Sequence, residues 1–268
     1  MTNFQALILG IVQGITEFLP VSSSGHVLLV QKLWHISGNH LLFITFLHIG
    51  TLVAVLWAFR KEIQWLYHHP WSHAAKMIYV ALVPTAILGI AFEDLFETIF
   101  SSASTLAAEF VITGVVLWWM DALPTGLKSE DDMDAADALW VGTLQGIAIL
   151  PALSRSGLTI ATGIWRGLDK EAAGRFSFLL SIPAILGATL VQGEEVLEAH
   201  SWAHSSLTWQ VLVIGTIAAA IAGYVAIFFT LWLLRKSRMR YFAVYTWLLA
   251  AFILADELFF HQWFPPLF

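Results

Sequence analysis

Long apolar runs separated by short charged stretches fix the class of this chain before any motif is read. Runs at about 41–59, 77–92, 105–120, 176–193, 209–234 and 241–260 each approach the roughly 20 residues an α-helix needs to cross ~30 Å of hydrocarbon. Only 12% of the 268 residues are charged and 58% are hydrophobic, whereas an ordinary soluble domain carries roughly 25% charged residues. The pattern is that of a polytopic α-helical membrane protein, and it excludes disorder, collagen, coiled coil and a disulfide scaffold. The chain has no Cys, so thiolate nucleophiles and thiolate metal sites are excluded as well. A formal net charge of -6 argues against a nucleic-acid partner. The start, Met1-Thr2-Asn3-Phe4, lacks the basic region of a cleaved signal peptide, and the first apolar run is expected to belong to the mature protein.

Two further apolar stretches, 4–34 and 138–165, are interrupted by turn-forming sequence: Pro20-Val21-Ser22-Ser23-Ser24-Gly25-His26 and Pro151-Ala152-Leu153-Ser154-Arg155-Ser156-Gly157. The arm from Phe4 to Leu19 would be only ~24 Å long as a helix, and the arm after each break is shorter. Both stretches read as re-entrant hairpins. Lys and Arg collect in four loops, around Arg60, Lys61 and Lys76, around Lys128, around Arg166, Lys170 and Arg175, and around Arg235, Lys236, Arg238 and Arg240. The loops at 93–104 and 194–208 have none. Placing the four basic loops in the cytoplasm opens the first hairpin outward and the second inward.

A gap-free shift of 132 residues superposes Ala6-Leu7-x-x-Gly10-x-x-Gln13-Gly14-Ile15 on Ala138-Leu139-x-x-Gly142-x-x-Gln145-Gly146-Ile147, and Ser22-x-Ser24-Gly25 on Ser154-x-Ser156-Gly157. The expected architecture is therefore an all-α membrane protein with six transmembrane helices and two re-entrant helical hairpins in an inverted repeat. It forms one integral-membrane domain over 1–268, with copies at about 1–134 and 135–268. Broken helices in such repeats meet near the midplane.

Non-helical backbone at membrane depth needs burial in protein or a wet cavity, so two facing breaks imply a polar pocket. The helix starting after each break presents free N–H groups and a positive dipole end to anions. Ser22, Ser23, Ser24 and Gly25 on one side, and Ser154, Arg155 and Ser156 on the other, add hydroxyls and a guanidinium suited to phosphate oxygens. The expected ligand is a phosphate or diphosphate. Arg155 is costly in an apolar stretch and needs an anionic partner, either the substrate or Glu17. Gln13 and Glu17 share one helical face, where they can hold a hard divalent cation or position a water; alternatively Glu17 pairs with Arg155. His26 either is a structural hydrogen-bonding residue or, beside the serine run and Glu17, makes with the serines a minimal pair for nucleophilic phosphoryl transfer, the reading preferred here. Thr159 either donates to phosphate or bonds its own helix. His68, His69 and His73 read as interfacial rather than as a metal cluster, and Glu109, Asp256 and Glu257 are expected to reach lipid headgroups. His48 either lines the pocket or bonds across helices.

Along essentially its whole length the chain resembles the undecaprenyl-diphosphate phosphatase family, the integral-membrane bacitracin-resistance proteins. Gln13-x-x-x-Glu17-Phe18-Leu19-Pro20-Val21-Ser22-Ser23-Ser24-Gly25-His26 is similar to the family's (E/Q)xxxE segment and serine-glycine-histidine run. Pro151-Ala152-Leu153-Ser154-Arg155-Ser156-Gly157-Leu158-Thr159 is similar to its PGxSRSxxT motif, with Ala152 in place of the glycine. Leu47-His48-Ile49-Gly50-Thr51 and Phe176-Ser177-Phe178-Leu179-Leu180 add to the resemblance. Gln13 is the neutral option at its position, and Ile44 stands where many members have an acid. The resemblance implies a C55 polyprenyl diphosphate cut to the monophosphate carrier of cell-wall synthesis in a bacterial cytoplasmic membrane, with the site opening to the outer face. It implies Mg²⁺ or Ca²⁺ held by Glu17 and Gln13, and leaves a homodimer open. On that basis Ser23 attacks the terminal phosphorus and His26 is the general base. Arg155, Ser22, Ser24, Gly25, Ser154, Ser156 and Thr159 hold the phosphates. Attack by His26 or by a water activated by Glu17 stays open, as does a transporter or flippase built on the same repeat. An acid-phosphatase-type alternative rests on Ser23-Ser24-Gly25-His26, but its KxxxxxxRP motif is absent.

Overall fold

A computed structural model describes residues 1–36, 41–92, 105–150, 153–198 and 207–264. Among them the chain is helical, without strands: α1 (Asn3–Phe18), α2 (Ser23–Leu33), α3 (Leu41–Ala58), α4 (Arg60–His68), α5 (His73–Ala91), α6 (Leu106–Ala122), α7 (Ala135–Ile147), α8 (Arg155–Trp165), α9 (Lys170–Glu198), α10 (Trp209–Arg235) and α11 (Arg240–Ala255). A single 3₁₀ turn, Glu130–Asp132, precedes α7, and a π turn, Asp256–Phe260, ends α11. The break residues Pro151 and Ala152 and the loop at 93–104 lie outside the described residues, as does 199–206 of the other loop that lacks Lys and Arg.

Among the described residues, five helices are long and apolar enough to cross a membrane: α3, α5, α9, α10, and α11 taken with its π turn. The sixth expected run is occupied by α6, a 17-residue helix. Large apolar side chains point outward on the long helices, among them Val53, Ile90, Ile221 and Leu248 at 49%, 77%, 64% and 66% exposure. Such a surface suits lipid.

α10 is the spine. A Cβ at Gly10 would run into the carbonyl oxygen of Gly215, one at Gly14 into that of Ala219, and one at Gly50 into that of Thr216. Glycine at these three positions lets α1 and α3 press backbone to backbone against α10. The largest apolar cluster joins Phe18, Val55, Ile160, Phe178, Leu180 and Ile227, with the Phe18 and Phe178 rings edge to face at 5.6 Å. A smaller cluster of Leu29, Phe110, Ala250 and Ile253 ties α2 to α6 and α11.

The basic loops are organised by buried or half-buried acids. Asp137, with 0% side-chain exposure, accepts from Lys128 Nζ and Arg166 Nε, each at 2.8 Å. Lys128 also exchanges backbone hydrogen bonds with Gly167 and Asp169, at 3.0 and 2.9 Å. The α6–α7 connection is thereby fastened to the end of α8. Arg175 bridges Glu62 and Glu130 at 2.8 and 3.0 Å.

The expectation that Glu109, Asp256 and Glu257 reach headgroups is overturned: they are 5%, 1% and 1% exposed. Asp256 turns back to accept the backbone N–H groups of Gln262, Trp263 and Phe264. Glu109 accepts from the Thr105 hydroxyl. Proximity to a span end does not reveal which way a helix face turns, and these side chains face inward.

Candidate active site

The two interrupted segments use one local device. α1 ends at Phe18; Leu19 leaves it in an extended conformation, and Pro20 has no amide to continue the helix. Ser22 then caps α2, its Oγ accepting from the Gly25 amide at 3.3 Å. Ser154 caps α8 in the same way, accepting from the Gly157 amide at 3.0 Å. The freed backbone groups are satisfied by threonines of neighbouring helices. Thr230 donates to the Phe18 carbonyl at 3.3 Å, and the Ser154 amide donates to Thr113 at 3.2 Å.

The breaks face each other. Arg155, the first residue of α8, reaches Glu17 on α1 with Nη2 2.7 Å from Oε1. Ser156 donates to the Leu19 carbonyl at 3.4 Å, and a Cβ at Gly157 would lie 3.4 Å from that of Pro20. Glu17 is also the acceptor for Ser23, whose Oγ lies 2.6 Å from Oε2, and for Gln13 Nε2 at 3.0 Å from the same oxygen. A carboxylate with a guanidinium on one oxygen and a serine hydroxyl on the other holds that hydroxyl's proton in its own direction. Glu17 and Arg155 cancel each other's charge, which lowers the cost of holding either at this depth. Arg155 Nη1 is buried and has no partner among the described residues, leaving a charged donor available to an incoming anion.

The other candidate residues fall into two groups. Ser22, Ser24, Gly25, Ser154 and Ser156 all lie at the breaks, with Ser22 and Ser24, and likewise Ser154 and Ser156, 3.4 Å apart through their hydroxyls. Thr159 is directed to the helix behind the break: its hydroxyl bonds the Arg155 carbonyl at 2.8 Å and Ser177 at 2.6 Å. His26 is 6% exposed and its ring bonds the Ser22 carbonyl and the Tyr245 hydroxyl; the hydroxyl of Ser23 goes to Glu17 instead. His48 bonds across to Gln192 at 3.1 Å. Tyr245, Thr113 and Thr230 carry no motif, and their one sequence signal is a polar atom inside an apolar run.

By themselves Glu17 and Gln13 do not complete a cation's ligand set. Both Glu17 oxygens are engaged by donors, Gln13 is neutral, and no group of three or more His, Cys, Asp or Glu able to hold a metal occurs among the described residues. Hard divalent cations take about six or more oxygen ligands.

The description "Bacitracin resistance protein BacA" belongs to a family profile that matches residues 6–252. The chain is a member of the BacA family. Its relatives include proteins named undecaprenyl-diphosphatase. One from Carboxydothermus hydrogenoformans is 46% identical over 254 residues, covering 95% of this chain and 97% of the relative. One from Halothermothrix orenii is 42% identical over 264 residues, covering 95% and 98%. Undecaprenyl-diphosphatase 4 of Bacillus cereus is 41% identical over 254 residues, covering 95% and 97%. BacA membership thus spans both interrupted segments and the helices that pack against them.

Proposed function

We propose that this protein is a membrane phosphatase that hydrolyses undecaprenyl diphosphate to the monophosphate and inorganic phosphate, returning the lipid carrier to cell-wall synthesis. The observation that carries the reading is the meeting of Ser23, Glu17 and Arg155 across two helix breaks, with Arg155 Nη1 left open. In this reading Ser23 Oγ attacks the terminal phosphorus and its proton passes to Glu17, to which the hydroxyl already donates. The bond between phosphorus and the bridging oxygen breaks, and the lipid monophosphate leaves. Water then attacks the phosphoserine; Ser23 departs and recovers its proton, releasing inorganic phosphate. Arg155 and the amides at the starts of α2 and α8 take the charge gathering on the phosphoryl oxygens.

Six crossings, with α6 as the sixth, and two re-entrant hairpins in an inverted repeat complete the proposed architecture, supported by the shared Ser-x-Ser-Gly caps. A bacterial cytoplasmic membrane and a site opening to its outer face suit a diphosphate lipid released on that face. A divalent cation, Mg²⁺ or Ca²⁺, enters this reading as a companion of the diphosphate, whose oxygens supply ligands the protein lacks.

The test is purified protein in detergent with a polyprenyl diphosphate and Mg²⁺. Stoichiometric inorganic phosphate and polyprenyl monophosphate are expected. Unchanged lipid under these conditions, with movement of that lipid across proteoliposome membranes, would overturn the phosphatase in favour of a flippase.

A further inference from the structure

Ser22 is held in a backbone conformation that the other described helix starts avoid. Its φ of 73° and ψ of 107° contrast with the extended conformation usual at an N-cap, which Thr2, Asp134, Ser154 and Thr208 all adopt. The other positive-φ residues lacking the freedom of glycine, His35, Ser237 and His261, all lie just past helix C-termini, where left-handed backbone is common. A residue in such a region persists when its surroundings over-determine it.

His26 supplies part of that constraint. Its Nδ1 lies 2.6 Å from the Ser22 carbonyl oxygen. A carbonyl only accepts, so Nδ1 carries the proton. In the neutral ring Nε2 is then an acceptor, and the Tyr245 hydroxyl stands 2.8 Å from it. The phenol ring of Tyr245 stacks on the imidazole at 5.6 Å and 21°, and Phe110 meets it edge-on at 5.3 Å. Phenol, imidazole and carbonyl form one directed chain that ends on the residue next to Ser23.

We infer that Tyr245 is a positioning residue: by donating to Nε2 it fixes His26 in the Nδ1–H tautomer, and His26 in turn clamps the Ser22 carbonyl so that the Ser23 hydroxyl stays on Glu17. His26 then acts as a brace for the nucleophile's turn. This inference rests on the phosphatase reading for its kinetic consequence, but its structural half stands apart.

The experiment compares Tyr245→Phe, His26→Asn, His26→Gln and His26→Ala, measuring kcat and KM for polyprenyl diphosphate together with histidine ¹⁵N NMR. The amide nitrogen of Asn can occupy the place of Nδ1, whereas that of Gln sits near Nε2. Expected are a kcat about tenfold lower with KM within about twofold for Tyr245→Phe, the loss of roughly one hydrogen bond. His26→Asn should keep at least ten times the kcat of His26→Gln and His26→Ala. The spectrum should show Nδ1–H for the resonance that disappears in His26→Asn, moving toward a tautomer mixture in Tyr245→Phe. An unaltered kcat in Tyr245→Phe, or His26→Asn as inactive as His26→Ala, overturns the brace. If the wild-type protein releases no phosphate, the phosphatase reading fails alone; the tautomer signature still decides the brace, and an Nε2–H resonance in the wild type sinks it.

Discussion

The two helix breaks share a cap and differ in what stands behind it. At the second, Ser154 has ordinary extended backbone, φ −76° and ψ 106°, and its neighbour Arg155 contributes a guanidinium. At the first, Ser22 is strained at φ 73°, and its neighbour Ser23 carries a small hydroxyl held by a carboxylate. A relaxed turn suffices to present a long, charged, adaptable side chain. A hydroxyl so close to the backbone has no such reach, and its position is set by the backbone itself. In the proposed reading the second break binds charge and the first performs the displacement.

Substitutions can pull this division apart. The largest effect belongs to Ser23→Ala, which should remove phosphate release while a fluorescent polyprenyl diphosphate still binds; residual turnover above about one-thousandth of wild type would take the nucleophile's role from Ser23. Next is Arg155→Ala, expected to lower kcat/KM by about 10³-fold or more, with Arg155→Lys restoring little because one ammonium cannot serve Glu17 and a phosphate in the same fork. A full rescue by Lys in a phosphate-release assay would reduce Arg155 to a counter-charge.

A smaller effect, on stability, comes from the acid that fastens the α6–α7 connection to the end of α8. Asp137→Ala strands Lys128 and Arg166, and unfolding in detergent should become easier by roughly 2–3 kcal/mol. That is below the range for wholly buried pairs, because the cations are 36% and 28% exposed. The smallest effect is the most diagnostic. Ser22→Gly and Ser154→Gly each lose a capping hydroxyl, worth a few tenths of a kcal/mol when Gly replaces it. Only Ser22→Gly also relieves strain of order 1 kcal/mol. Thermal unfolding should rise or hold for Ser22→Gly and fall for Ser154→Gly; equal falls would remove the asymmetry.

The fold was largely legible because membrane-length apolar runs leave few alternatives. The expected 41–59 and 209–234 correspond to α3 (Leu41–Ala58) and α10 (Trp209–Arg235), within one residue at each end. The expected 176–193 became α9, Lys170–Glu198, since polar residues at a helix end lower hydropathy without breaking hydrogen bonds. The pairing of Glu17 with Arg155 was also foreseeable, as each needs an opposite charge in apolar surroundings. Hydrogen-bond direction was not. The spacing of Ser23 and His26 suggests a pair, yet the hydroxyl turns to Glu17 and the imidazole to Tyr245, 219 positions further along the chain than His26. Tertiary packing brings Tyr245 there, and no local pattern records it. Glu109 and Glu257 were misplaced for a related reason: position along a helix says how deep a residue lies, while its rotational setting says what it faces.

The glycine contacts of α1 and α3 with α10 also bear on traffic. Backbones pressed together through Gly10, Gly14 and Gly50 leave no crevice for an isoprenoid, so that flank is a wall. Tyr245, 41% exposed on α11 while bonded to His26, stands on the other flank, where side chains rather than backbones fill the joint. In the proposed reading, that side-chain joint is where a long hydrocarbon guest would draw its headgroup toward the breaks.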